Sequence, residues 1–234
     1  NLILRQTIKD GRLGDISYIT VEYSQRRVIR DIFKDWVDKT NIFQYLGVHY
    51  VDLIYFLTKA IPVKVLATGQ PDQHPPSNTG YDSIQTIIEW QLPQTRNSFI
   101  STIVTNWIDP NSTSAVSDQK ITVVGTKGRY QADQKNRGVQ LVTQDDSGLE
   151  EINPYFCQIY EDENGDASIN GYGPKSVTCF ISDVTDLING HCHRDSLIET
   201  RPSFEQSLVS TAVIESANAS LTNGNQWTSI TLNS

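Results

Sequence analysis

The stretch from residue 83 to 108 constrains the fold most. In 83–92, Ile84, Thr86, Ile88, Trp90 and Leu92 fall on one side of a period-two pattern, and Ser83, Gln85, Glu89 and Gln91 fall on the other, with Ile87 the one exception. Such alternation suits a strand with one buried face and does not suit a helix. After a linker at 93–97, residues 99–108 set Ile100, Val104 and Ile108 against Ser101 and Thr105. Phe99, Ile103 and Trp107 share the parity of those two polar residues, so the run is apolar on both sides. Two runs joined by so short a linker predict an antiparallel hairpin. An apolar pattern at both parities predicts an open apolar sheet face of the kind that becomes a subunit interface.

Further strands are expected at 16–24, 62–69, 120–124, 129–132, 138–143, 149–152 and 226–232. The turns Gly125-Thr126-Lys127-Gly128 and Asp145-Asp146-Ser147-Gly148 mark two more hairpins. Helices are expected at 2–10, closed by Gly11; at 42–59, ended by Pro62; at 174–189, capped by Gly190; and at 203–221, opened by Pro202 and closed by Gly224. The third of these places Val177, Phe180, Ile181, Val184 and Ile188 on one stripe. Residues 25–41 are polar with interspersed Phe33 and Trp36, as in a structured loop bordering a site. Residues 71–80 form a loop in which His74 reads as solvated. The order predicts an α+β, two-layer fold. A large, mostly antiparallel sheet of about seven to nine strands carries helices on one face and keeps the other open for oligomerisation. The 234 residues, 38% of them hydrophobic, suffice for a single domain over 1–234 with a real core.

Charge and cysteines narrow the partners. The net charge is −8, and no basic cluster exceeds Arg26-Arg27 plus Arg30. This argues against nucleic acid and against a membrane surface as partner. The apolar run at 51–57 is too short to span a bilayer. Cys157, Cys179 and Cys192 are odd in number and irregular in spacing, which suits reduced thiols in a cytoplasm. No signal-peptide pattern opens the chain, and no methionine occurs, as expected of a fragment or processed product.

Most chemistry-bearing motifs have an ordinary explanation. His191-Cys192-His193 has neither zinc-knuckle nor helical spacing and no companion cluster, so a solvated loop accounts for it and no metal site is expected. The acidic run 161–166 lacks the order of a calcium loop and reads as a polar turn. Asn111-Ser112-Thr113 and Asn218-Ala219-Ser220 match glycosylation sequons by chance. No Gly-x-Gly-x-x-Gly, P-loop or Gly-x-Ser-x-Gly occurs, so the chain has no phosphate cradle of its own.

Gly47-Val48-His49-Tyr50-Val51-Asp52 stands apart. On a helix, positions three and four apart share a face, so Tyr45, His49 and Asp52 form one stripe on a helix otherwise built to be buried. A histidine with a nearby carboxylate serves as a general base near neutral pH. The same stripe is also what a hydrogen-bonded polar patch in a core looks like.

The ordered set of pieces resembles a known family. Gly11-Arg12-Leu13-Gly14-Asp15 leads into a strand, Gly47 to Asp52 opens a helix, and Pro62-Val63-Lys64-Val65 follows. Ile121-x-Val123-x-Gly125-Thr126-Lys127-Gly128 forms a hairpin, and Arg201-Pro202-Ser203-Phe204 starts the last long helix. Together they resemble the C-terminal domain of the glucose-fructose oxidoreductase / inositol dehydrogenase / rhizopine-catabolism (Gfo/Idh/MocA) family, across nearly the whole chain. The resemblance implies a substrate-binding and oligomerisation domain of an oxidoreductase that transfers hydride between a sugar or polyol carbon and NAD or NADP. The dinucleotide would be bound mainly by an N-terminal Rossmann domain that this chain lacks, so the chain alone is not expected to turn over. It implies a homodimer or homotetramer formed through the sheet. His49 matches the histidine of the family's G-x-H-x-x-D motif and is the candidate acid/base, with Asp52 matching the carboxylate that follows. The family often has an aspartate where this chain has Tyr45, so substrate contacts differ there. Lys39, Arg26 and Trp36, before the helix, are candidate substrate-binding residues at the rim. The competing readings are a non-catalytic sugar sensor or regulator on the same scaffold, and a plain assembly domain.

Overall fold

The alternating runs form strands where expected, and their register decides which side is buried. The computed structural model describes residues 1–33, 36–71, 80–93, 95, 97–143, 148–198 and 200–232. His74, the rest of the 72–79 loop and the turn residues Asp145, Asp146 and Ser147 lie outside them. The described residues form two compact units, Asn1–Gln134 with Glu205–Ser234, and Lys135–Phe204.

The first unit holds helix α1 (Leu2–Lys9), strand β1 (Ile16–Arg26), helix α2 (Val28–Ile32), helix α3 (Val48–Thr58) and strands β2 (Ile61–Pro71), β3 (Tyr81–Gln91), β4 (Ser98–Asp109), β5 (Ser117–Gly125) and β6 (Arg129–Asp133). The second unit contributes the short strands β7 (Gln140–Leu141), β8 (Glu150–Glu151), β9 (Gln158–Glu161) and β10 (Ala167–Asn170), with helices α4 (Tyr172–Ile188) and α5 (Arg194–Ile198). Helix α6 (Phe204–Thr222) and strand β11 (Thr228–Ser229) return to the first unit. Seven strands make one sheet in the order β11-β2-β3-β4-β1-β5-β6. Every pair is antiparallel except β1 with β4, where Val21 lies beside Ile103 and Tyr23 beside Thr105 in a parallel ladder. The fold is α+β, with a large, mostly antiparallel sheet.

One sheet face carries the core. Ile19 and Val21 on β1, Ile84, Ile88 and Trp90 on β3, Phe99, Ile103 and Trp107 on β4, and Ile121 and Val123 on β5 are all buried. They pack with Leu4 of α1, with Val51 and Ile54 of α3, and with Val213, Ile214 and Ala217 of α6. The hydroxyl of Ser220 accepts from the Ala67 amide at 2.9 Å and so fixes α6 to β2.

The parity of β4 corrects the sequence reading, which set Ile100, Val104 and Ile108 against Ser101 and Thr105. The buried side is the one with the serine and threonine, and Ile100 and Ile108 are exposed. Hydrogen bonding explains why two hydroxyls are tolerated there. Ser101 Oγ accepts the indole N–H of Trp90 at 2.8 Å, and Thr105 Oγ1 donates to the Ile84 carbonyl at 3.1 Å.

Two glycine turns far apart in sequence lock together. The Asp15 amide donates to Thr126 Oγ1 at 3.1 Å, the Thr126 amide to the Asp15 carbonyl at 2.9 Å, and the Lys127 amide to the Leu13 carbonyl at 2.9 Å. A Cβ on Gly14 would lie 2.3 Å from Thr126 Oγ1, and one on Gly125 would lie 2.2 Å from the Leu13 carbonyl oxygen. Only glycine admits so close an approach at either position.

The second unit is built differently. Two short hairpins precede α4, and none of its described residues is buried. The stripe expected to pack inward leaves Val177, Phe180, Ile181, Val184 and Ile188 all exposed, from 37% at Val184 to 79% at Ile188. A bidentate ion pair, Arg201 Nε to Asp183 Oδ2 at 2.6 Å and Nη2 to Oδ1 at 3.0 Å, joins the end of the unit to α4.

Candidate active site

The helix bearing Gly47 to Asp52 does not begin as an α-helix. Residues Phe43–Gly47 form a single π-helical turn, after which α3 runs from Val48. Asn41 supports its start, its Oδ1 accepting from the Gln44 amide at 2.8 Å. The buried ring of Phe43 occupies the space over Gly47, where a Cβ would sit 2.1 Å from the ring. π-turns widen the helix locally and are frequent at functional sites.

The turn sets which way each side chain faces. On α3 the buried residues are Tyr50, Val51, Ile54 and Leu57. His49 and Asp52 share the opposite face, and both are exposed. The spacing placed them on one stripe; the structure moves that stripe from the core to the solvent side, because positions 50, 51, 54 and 57 claim the sheet. Among the described residues no hydrogen bond or ion pair joins His49 to Asp52. Nor does any hydrogen bond or ring contact join Tyr45 to His49. The His49 ring lies 6.4 Å from the ring of Tyr23 on β1. Tyr23 in turn meets Tyr50 edge-on at 5.6 Å, and the Tyr50 hydroxyl donates to Gln119 Oε1 at 3.4 Å.

Tyr45 belongs to an aromatic cluster at the same end of the sheet. Its ring makes T-shaped contacts with Phe33 at 5.3 Å and Trp36 at 6.0 Å, and lies 6.5 Å from Trp107. Phe33 lies across Trp36 at 4.6 Å. Trp36 opens a 3₁₀ turn, Val37–Lys39, and Phe33 ends α2. Helix α2 is fastened at its start by the Val28 amide, which donates to Asn111 Oδ1 at 2.8 Å. Arg30 fastens it again, its Nη1 3.3 Å from Asp82 Oδ1 and its guanidinium 5.3 Å above the Trp107 ring.

The remaining rim candidates separate. Lys39 and Trp36 are exposed. Arg26 is bonded to the β4–β5 connection, donating from Nε to Thr113 Oγ1 at 3.2 Å and to the Ala115 carbonyl at 3.1 Å, and from Nη2 to the Thr113 carbonyl. Sequence reasoning placed Phe33 in a loop bordering a site but missed Tyr23, Arg30, Asp82 and Trp107 as members of this neighbourhood. For Asp82 a signal existed. A carboxylate two residues before Ile84 occupies the buried parity of β3, where a charge needs a partner.

Among the described residues no group of three or more His, Cys, Asp or Glu side chains could hold a metal ion. Both sequon asparagines are engaged: Asn111 as above, and Asn218, whose Oδ1 accepts from Asn41 Nδ2 at 2.7 Å.

Residues 2–131 match the sequence profile described as the GFO/IDH/MocA C-terminal domain, more than half of the chain. The chain belongs to the GFO/IDH/MocA family. Solved structures carry the same fold as this GFO/IDH/MocA domain. A putative myo-inositol dehydrogenase from Sinorhizobium meliloti is 18% identical with a TM-score of 0.61, covering 98% of this chain and 61% of its own. Scyllo-inositol dehydrogenase from Lactobacillus casei, with NAD(H) and scyllo-inositol bound, is 15% identical with a TM-score of 0.60, covering 97% and 60%. A putative oxidoreductase from Thermotoga maritima is 15% identical with a TM-score of 0.61, covering 98% and 59%. The chain thus spans about 60% of the length of these structures. No protein of curated function matches it in sequence.

Three close-packed glycines, Gly14, Gly47 and Gly125, do not open toward a pyrophosphate. A pyrophosphate needs glycines whose open backbone admits it. In this GFO/IDH/MocA domain the space over Gly14 and Gly125 is filled by Thr126 and Leu13, and that over Gly47 by Phe43.

Proposed function

We propose that the chain is the substrate-binding and oligomerisation domain, spanning both units, of an NAD(P)-dependent oxidoreductase acting on a sugar or polyol hydroxyl, with the dinucleotide held mainly outside residues 1–234. The observation that carries this reading is the placement of His49. In a chain of this family, an imidazole stands on the exposed face of α3, with no carboxylate bonded to it among the described residues.

His49 accepts the proton of the reacting hydroxyl. Asp52, exposed on the same face, is the second polar group offered to the substrate. Tyr45 and Trp36 contact the substrate from the aromatic cluster, with Lys39 at the rim. Arg26 acts one step removed, holding the 113–115 connection. The exposed side chains Tyr18, Ile100 and Ile108 support a homodimer or homotetramer formed through the outer sheet face. The three cysteines are free, in keeping with a cytoplasmic protein. Among the described residues no helix is long and apolar enough to cross a membrane.

The test is His49→Ala in the complete enzyme, which should lower kcat about 100-fold or more. Asp52→Asn should cost less than about tenfold, since no hydrogen bond is lost. Retained turnover in His49→Ala removes the acid/base role. A sugar-binding regulator is the second reading, favoured by one observation: among the described residues no carboxylate is bonded to the His49 ring. Binding of a polyol by a complete protein with no measurable turnover would select it.

A further inference from the structure

His49 is exposed, and among the described residues no hydrogen bond or ion pair reaches it. Its ring contact is with Tyr23 of β1, at 6.4 Å and an interplanar angle of 45°. That separation lies within the roughly 4.5–7 Å over which ring pairs attract. Tyr23 is itself held. Tyr50, the neighbour of His49 on α3, meets the Tyr23 ring edge-on at 5.6 Å. Tyr50 is buried, and its hydroxyl donates to Gln119 Oε1 at 3.4 Å. At Tyr23 the strand β1 is paired on both sides, with Thr105 of β4 and with Gln119 of β5. The contacts close a loop: Tyr23 to Tyr50, Tyr50 to Gln119, and Gln119 back to Tyr23 through the ladder.

Consecutive residues of a helix lie about 100° apart around its axis. On α3, Tyr50 takes the sheet side and His49 the exposed side, and the Tyr23 ring meets both. An acid/base histidine must hold its nitrogen within hydrogen-bond reach of the reacting hydroxyl. It loses that reach when its ring turns between rotamers. A carboxylate or carbonyl bonded to the other ring nitrogen is the common restraint. Among the described residues His49 has no such bond, and a neighbouring ring is what stands in its place.

We propose that Tyr23 is the positioning residue of His49. Its ring, set against Tyr50, does the work of an orienting carboxylate and holds the imidazole in one rotamer. The ring does this and the hydroxyl does not. The proposal rests on the reading of His49 as the acid/base group and supplies what holds it.

The experiment compares the unaltered protein with Tyr23→Leu and Tyr23→Phe. In the 234-residue chain, NMR reads the His49 χ1 rotamer from side-chain couplings and the contact from NOEs between the two rings. The expected result is one rotamer with ring–ring NOEs in the unaltered chain, averaged couplings in Tyr23→Leu, and a single rotamer again in Tyr23→Phe. Averaged couplings in the unaltered chain, or one rotamer kept in Tyr23→Leu, would overturn the proposal. Averaging in Tyr23→Phe would assign the effect to the hydroxyl and overturn it too. In the complete enzyme, assayed with scyllo-inositol and NAD, Tyr23→Leu should lower kcat by up to roughly tenfold, the scale of one aromatic contact, with KM little changed. Tyr23→Phe should restore most of that loss, and an unchanged kcat in Tyr23→Leu would overturn the positioning role. The couplings need no substrate, so they decide the proposal even where this pair of probes is not turned over. Retained turnover in His49→Ala, with the rotamer results as expected, would remove the acid/base reading and leave the ring contact standing. Should Tyr23→Leu fail to fold, the unaltered chain decides: one rotamer with ring–ring NOEs supports the proposal, and averaging or absent NOEs overturn it.

Discussion

The ring of Phe43 fills the space into which a Cβ on Gly47 would project, at 2.1 Å. Gly47 closes the π-turn that carries Tyr45, directly before the α-helical turn of His49. Gly47→Ala would force a fully buried ring to move in a packed core. The expected cost is about 1–3 kcal/mol, read as a lower denaturant midpoint. Because the ring sits under the turn, the variant should also shift the Tyr45 and His49 resonances. Unchanged stability and spectra would show that the glycine is not needed there.

The locked glycine turns make a stronger prediction. At Gly125 the obstruction is the Leu13 carbonyl, a backbone atom that cannot rotate aside. Gly125→Ala should destabilise the first unit by about 2 kcal/mol or more. Thr126→Val, which keeps the shape but removes the acceptor for the Asp15 amide, should cost about 1 kcal/mol. Equilibrium urea unfolding of the two variants checks the order.

The outer sheet face can be tested by charge. Ile100→Asp with Ile108→Asp adds carboxylates to two exposed positions of β4, so the fold should persist. If that face joins copies of the chain, light scattering should show the variant dissociating to monomers. An unchanged assembly size would place the interface elsewhere, and a monomeric unaltered chain would remove it.

Asp183 makes a pH prediction. The Arg201 guanidinium hydrogen-bonded to it, together with its charge, holds the carboxyl below its usual range, outweighing the opposing effect of desolvation. A carboxyl lowered in the folded state contributes stability that is fully present above its unfolded pKa. The contribution is lost as the pH falls through the lowered folded value. The joint between α4 and residues 194–203 should therefore hold at neutral pH and loosen only in strong acid. Hydrogen exchange of those amides against pH should show the loosening. Asp183→Asn should exchange at neutral pH as the unaltered chain does in acid.

Much of this arrangement was legible in the residues. Period-two alternation located β3 and β4, and the Gly-x-His-x-x-Asp spacing placed His49 and Asp52 on one helical face. What failed was orientation. The parity of β4 was misleading because Ser101 and Thr105 are buried by bonds to β3, which depend on cross-strand register. The exposure of His49 depends on which face of α3 the sheet claims. Trp107, Asp82 and Arg30 come from three separate segments, and no spacing within one segment reveals that they meet. The parallel pairing of β1 with β4 was invisible for the same reason.

That parallel pairing has a kinetic consequence. β4 and β5 follow each other in sequence, yet in the sheet β1 lies between them. The β2-β3-β4 meander and the β5-β6 hairpin can each zip up from local contacts, but they share no ladder with one another. Val21 pairs with both Ile103 and Ile121, so the first strand in the sequence must close long loops to both of its neighbours. Such long-range closure is slow. Until it occurs, two apolar strand edges stand unpaired, and the half-folded chain is most exposed to pairing with a neighbour.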